Sequence, residues 1–180
     1  MAKPQVPIEV DPETGIWSTD GMPMLYLPRH SFVNNHLEVE AALGREAYAA
    51  SLYRSGYKSA YTWCEAEAKT HGLSGMTVFH HYMKRMSQRG GGLFDGAGID
   101  PATGLGFVRL EHSCFVLHHG SELSGGTGAE TGSKLCYMCA GWFPGALDWV
   151  GRDLGWALSS KEVSCAGEGH DHCRFEVTPA

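Results

Sequence analysis

The chain has 180 residues, enough for one domain with its own core, and its shares of 43% hydrophobic and 19% charged residues are those of an ordinary folded protein. A net charge of −6 with no basic stripe to offset it argues against a nucleic-acid partner, and no window approaches the ~18 apolar residues of a membrane span. The start, Met-Ala-Lys-Pro-Gln-Val-Pro, has no apolar leader, so the six cysteines read as thiols of a reducing cytoplasm rather than as a disulfide framework.

In chain order, Ile8 to Val10 and Ile16-Trp17 flank Asp11-Pro12-Glu13-Thr14-Gly15, which predicts a hairpin with Gly15 at positive φ. A second short strand is expected at Met24 to Leu27, stopped by Pro28. These first 28 residues read as a strand-rich extension, with one domain over residues 29–180. A helix is expected from Val33 to Leu43, a break at Gly44, and a longer helix from Arg45 to Lys69 on which Tyr53, Tyr57 and Tyr61 share a face. A third helix runs from a Ser74 N-cap to Gln88, with Met76, Phe79, Met83 and Met86 as its apolar stripe.

The segment from Gly90 to Gly104 predicts a short strand and a long turn, and alternation then predicts one strand from Phe107 to His119. A loop from Ser121 to Ser133 leads to a helix from Cys136 to Val150, and two last strands surround Cys165 and Cys173. Helices between strands, closed by antiparallel hairpins, define an α+β class in which an antiparallel sheet packs with helices.

Glycine is the compositional outlier, with 24 residues, about twice the usual share of roughly 7%. Neither glycine-rich loop fits a nucleotide fingerprint. Gly96-Ala97-Gly98 runs into Ile99-Asp100-Pro101, and in Gly132-Ser133-Lys134-Leu135 the lysine neither follows glycine nor precedes a hydroxyl residue.

The spacing Cys139 … Glu162-x-x-Cys165-x(7)-Cys173 reads as a metal site with four protein ligands. Three thiols and a carboxylate suit a closed tetrahedral zinc site, which keeps no position for a catalytic water. Gly167 and Gly169 allow the tight turn that such a loop needs. Cys136, three residues before Cys139 on the same helix face, is the first candidate to replace Glu162 as a ligand, and His170 and His172, inside the loop, are further ones.

The ending from Glu162 to Phe175, Glu-x-x-Cys-x-Gly-x-x-x-x-x-Cys-x-Phe, resembles the signature of 4-vinyl-reductase domains, which include the sensory domains of phenol- and xylene-responsive regulators. The resemblance covers about residues 105 to 178 and is weaker over about 30 to 90. It implies an α+β fold shared with a vesicle-tethering subunit that binds an acyl chain. It further implies a structural zinc with Cys139 as the helix-borne ligand, and a buried pocket nearby for a small, usually aromatic, molecule.

Alternation along the long strand places His112, Cys114 and His118 on one face with Val108, Leu110 and Val116. A pocket is expected between that face and Phe79, Tyr82, Met83 and Met86 of the third helix, apart from the zinc, with the imidazoles orienting a small, largely apolar ligand. His112 and Cys114 are also candidates for a second metal. Three functions follow. The first is a zinc-containing small-molecule-binding protein, sensory or carrier. The second is a non-catalytic accessory subunit or assembly factor docking onto a larger enzyme. The third is a vinyl-group reductase, which ranks last because no hydride-donor motif is present. The resemblance and the aromatic content also imply a homodimer or a tight complex with an enzyme subunit.

Overall fold

Two antiparallel sheets and five helices make up the described residues of the structure, a computed structural model. It describes residues 5–119 and 132–180, and the backbone alone at 117–119. The expected loop from Ser121 lies outside these residues except at its last two positions.

The first sheet has the order β1 (Glu9–Val10), β2 (Trp17–Thr19), β3 (Met22–Met24). Its first turn forms as expected, with the Asp11 carboxylate accepting from the Glu13 N–H at 2.9 Å and from the Thr14 hydroxyl at 2.6 Å. The third strand starts earlier than predicted. Asp20 and Gly21 stand at φ 54° and 75° and make a two-residue turn that pairs Thr19 with Met22. Leu25 and Tyr26 consequently lie beyond the strand and are exposed.

Helix α1 (Arg29–Leu43) stops at Gly44, and α2 (Arg45–His71) stops at Gly72 in the left-handed region. Helix α3 (Met76–Gln88) follows Gly75 rather than Ser74, whose carbonyl instead accepts from the Thr77 hydroxyl. No helix among the described residues is long and apolar enough to cross a membrane.

The second sheet has the order β4 (Leu93–Ile99), β5 (Gly106–Glu111), β7 (Cys173–Pro179), β6 (Leu158–Ser164), all antiparallel. One face carries Val108, Leu110, Leu158, Phe175 and Val177, all buried. The predicted long strand is the main departure. It ends at Glu111, His112 takes φ 54°, and Cys114–His119 form a short helix, α4. Ser113 causes the change locally, since its buried hydroxyl accepts from the Phe115 N–H at 3.3 Å and starts the helix that alternation could not foresee.

Helix α5 (Tyr137–Val150) lies between this sheet and α2, and every residue from Cys139 to Trp149 is buried. The shared tyrosine face of α2 meets it. The Tyr57 hydroxyl donates to Asp148 at 2.7 Å, and Tyr53 accepts from the Ser160 N–H at 3.1 Å. Asp148 also accepts from the Leu158 N–H at 3.0 Å, and burial raises its carboxyl while these two bonds lower it. Asp148→Ala strands both donors inside the protein and should lower stability by about 2–3 kcal/mol, read from urea unfolding, whereas Asp148→Asn should lose less.

Candidate metal centre

Three elements deliver four buried donors to one point: Cys136 just before α5, Glu162 of β6, Cys165 in the turn after β6, and Cys173 opening β7. Their ligand atoms all lie within 4.8 Å of one another. The Cys173 sulfur stands 3.6 Å from that of Cys165 and 3.7 Å from that of Cys136. Three free thiols at such separations are not disulfides. Sulfurs placed tetrahedrally on an ion at ~2.3 Å would stand about 3.8 Å apart, so this spacing fits an ion.

Local structure explains the convergence. The β6–β7 register slips between Glu162 and Ser164, so Val163 is an extra residue that bends the strand end toward the turn. In that turn, Ala166–Glu168, the Gly167 N–H points at the Cys165 sulfur and the Ala166 N–H at the Cys173 sulfur, both at 3.4 Å. Glu168 closes the turn by accepting from the Cys165 N–H at 3.1 Å, and it is held by Lys134 at 2.8 Å.

Glu162 accepts from the Cys136 N–H through Oε2 at 3.2 Å, while its Oε1 is buried with no hydrogen-bond partner among the described residues. A buried carboxylate oxygen without a partner, on a side chain grouped with three sulfurs, is what an ion would satisfy. Burial, then the neighbouring Cys165 charge, pushes the Glu162 carboxyl up to about 9. Contacts with the sulfurs of Cys139, Cys165 and Cys173 hold the Cys136 thiol well above its usual range, and hydrogen bonds from Cys136 and Cys173 draw the Cys165 thiol down. The Cys173 thiol, lowered by its contact with Cys136, is raised overall by Cys165 and by burial, so Cys165 is the one member of the group that is drawn down. A buried Cys3Glu set that could hold a metal ion is the result.

One ligand differs from the expectation. Cys136, not Cys139, stands in the group. Cys136 precedes the helix, with φ −92° and ψ 42°, so its side chain leaves toward the hairpin. Cys139, one turn inside α5, is buried beside Cys136 and outside the group. His170 is exposed and His172 half-buried, and neither joins.

The residues expected to line a pocket differ in burial. Phe79, Tyr82 and Met83 are 0%, 2% and 3% exposed in the core, and Met86 is half-buried. His112 is exposed and Cys114 half-buried, on opposite sides of the strand–helix break, so they share neither a strand face nor a metal group. The His118 side chain lies outside the described residues. A groove of about 600 Å³ opens elsewhere, between the first sheet and the end of α3, lined by Ile8, Trp17, Met24 and Tyr26 on one side and Gln88 and Arg89 on the other. The sequence reading missed it because its walls are two elements about sixty residues apart with no motif of their own.

A family model described as "Domain of unknown function (DUF5943)" matches residues 2–97. No curated protein matches the chain. Among solved structures, the phenol-responsive sensory domain of the transcription activator PoxR with phenol is similar, with TM-score 0.74 and 22% identity over 96% of this chain and 84% of that one. A vinyl-4-reductase family protein from Methanocaldococcus jannaschii has TM-score 0.55 and 16% identity, over 87% of this chain and 84% of that one. A trafficking protein particle complex subunit 3 from Naegleria fowleri, covalently bound to palmitic acid, has TM-score 0.57 and 13% identity, over 84% of this chain and 95% of that one. The expected α+β fold is therefore shared with the sensory and vinyl-4-reductase domains.

Proposed function

The chain belongs to the DUF5943 family, and we propose that it acts by binding a small molecule rather than by turnover. The likeness that spans 96% of the chain to a phenol-responsive sensory domain carries this reading. The ligand is small and largely apolar, with a hydroxyl or carbonyl that sets its orientation. The groove between the first sheet and α3 supports it, since about 600 Å³ is within the ~300–1,000 Å³ of small-molecule sites. Trp17 and Tyr26 offer aromatic walls, and Arg89 and Gln88 offer hydrogen bonds to the polar group.

Zinc is the proposed occupant of the Cys136, Glu162, Cys165 and Cys173 centre, in a structural role. Four protein donors would leave no open position, so the ion would supply folding energy by tying the start of α5 to the last hairpin. A closed site would also put vinyl-group reduction last among the three functions.

Titration of the full chain with a panel of alkylphenols and medium-chain fatty acids, followed by tryptophan fluorescence, tests the proposal. Saturable binding is expected, weakened at least tenfold by Trp17→Ala with metal content unchanged. No saturation by any panel member up to millimolar concentration would overturn it.

The docking reading has its own support. Ile8, Val10, Ile16 and Leu25 are exposed around the first sheet, a row of apolar side chains suited to a second copy or an enzyme subunit. Light scattering that gives twice 19.5 kDa, abolished by Leu25→Asp, would favour it.

A further inference from the structure

The turn between α2 and α3 gathers another set of ligating side chains, all within the residues matched by the family model and outside the Cys3Glu centre. We propose that Glu67, His71 and His81 form a second metal site, which takes one divalent first-row transition ion, zinc foremost, through a carboxylate and two imidazoles.

Glu67 and His71 stand four residues apart on α2 and so share a face, and α3 returns after Gly72 to bring His81 against them. Glu67 Oε2 is 2.7 Å from His81 Nε2 and 3.3 Å from His71 Nε2, and the three donor atoms lie within 4.8 Å of one another. Donors around an ion at ~2.1 Å stand about 3–3.5 Å apart, close to the two carboxylate–imidazole separations here.

Both imidazoles direct the same nitrogen at one carboxylate oxygen. As a hydrogen-bonded triad this needs a proton on each of those nitrogens, whereas an ion takes all three lone pairs at once. The Glu67 side chain is 1% exposed, and carboxylates so buried are paired with a cation or coordinate a metal. Arg85 is held to Asp20 at 2.8 Å, and Arg89, whose charge is felt at Glu67, lies over the Trp63 ring, 5.2 Å from its centroid, without an ion pair to that carboxylate among the described residues. Trp63 in turn stacks on His81, with centroids 5.7 Å apart and planes at 22°, which fixes that ring's direction.

His71 and His81 are 29% and 19% exposed, so solvent reaches the set and water can complete the coordination. Two histidines, a glutamate and water are a known zinc ligand set. Asp20 Oδ2, 3.6 Å from His71 Nε2 and 2.8 Å from Arg85, brings the turn of the first sheet against the set. An ion here would fasten α2 to α3 with that sheet's turn against it.

The test uses the full chain, stripped with a chelator, reloaded with Zn²⁺ and counted by plasma mass spectrometry, with Co²⁺ spectra in parallel. Wild type should hold two ions, and His71→Ala and His81→Ala one each, with circular dichroism confirming that both variants fold. The Cys165→Ser, Cys173→Ser variant should keep one ion whose Co²⁺ form shows visible bands without sulfur-to-metal charge transfer. An ion that survives in this variant but is lost with His71→Ala supports the site even if the thiolate centre binds nothing. Unchanged counts in both histidine variants overturn it, as does a single wild-type ion that the cysteine variant loses.

Discussion

Alanine at Gly141 is expected to lower stability by roughly 3 kcal/mol or more, or to prevent folding, although it adds a single methyl group. A Cβ at Gly141 would sit 2.0 Å from the Tyr53 carbonyl oxygen, and one at Gly145 would sit 2.3 Å from that of Tyr57. From the other side, a Cβ at Gly56 would meet the Met138 carbonyl oxygen at 2.3 Å. These obstacles are backbone atoms inside helices, so no rotamer relieves them. The helices would have to move apart by an ångström or more, and the interior would lose contact along the whole crossing. Thr62→Ala, at an exposed position of the same α2, should change stability by no more than about 0.5 kcal/mol. Denaturant midpoints measure both variants, and an unchanged midpoint for Gly141→Ala would mean that the two backbones do not touch.

The second large effect concerns the metal. Cys136→Ser and Cys165→Ser should each abolish tight zinc binding and lower the melting temperature by about 10 °C or more, because ligation energy in such sites is folding energy. Cys139→Ser should keep the ion, and this contrast separates the two helix cysteines. The pH dependence has a definite sign. Glu162, Cys136 and Cys173 are raised in the ion-free protein, Glu162 to about 9, so at pH 7 all three carry protons that the ion must displace. Affinity should therefore fall as pH falls, by roughly a thousandfold per unit for three displaced protons. Competition with a chelator at pH 8, 7 and 6 reads this directly. A pH-independent affinity, or zinc retained in Cys136→Ser and lost in Cys139→Ser, would restore the original ligand assignment.

Much of the fold was legible because its signals are local. Gly44 and Gly72 end helices where the pattern stops, Asp11 and Gly15 make a turn, and three tyrosines every four residues mark the face of α2 that meets α5. Three of the four donors were legible for the same reason, since Glu162, Cys165 and Cys173 lie on one hairpin whose spacing imposes their meeting. The fourth was not. Cys136 and Cys139 both lie near the start of α5, and the choice depends on where the first helical turn begins, a matter of one or two residues. The long strand failed on a single serine, because Ser113 and the positive φ at His112 end a pattern that hydrophobic alternation would continue. Glu67, His71 and His81 passed unnoticed since two of them share a helix face and the third arrives only through the α2–α3 turn.

The burial of α5 also constrains the order in which a growing chain can settle. Helix α2 is complete by residue 71, yet its main partner begins at residue 137, and its tyrosines bond to Asp148 and Ser160. At the ~5–20 residues per second of synthesis, the face of α2 that receives α5 must wait several seconds on the ribosome with its apolar side open to water. Such long-range closure is slow, and a nascent chain of this kind is a natural client for whatever shields apolar helices during translation.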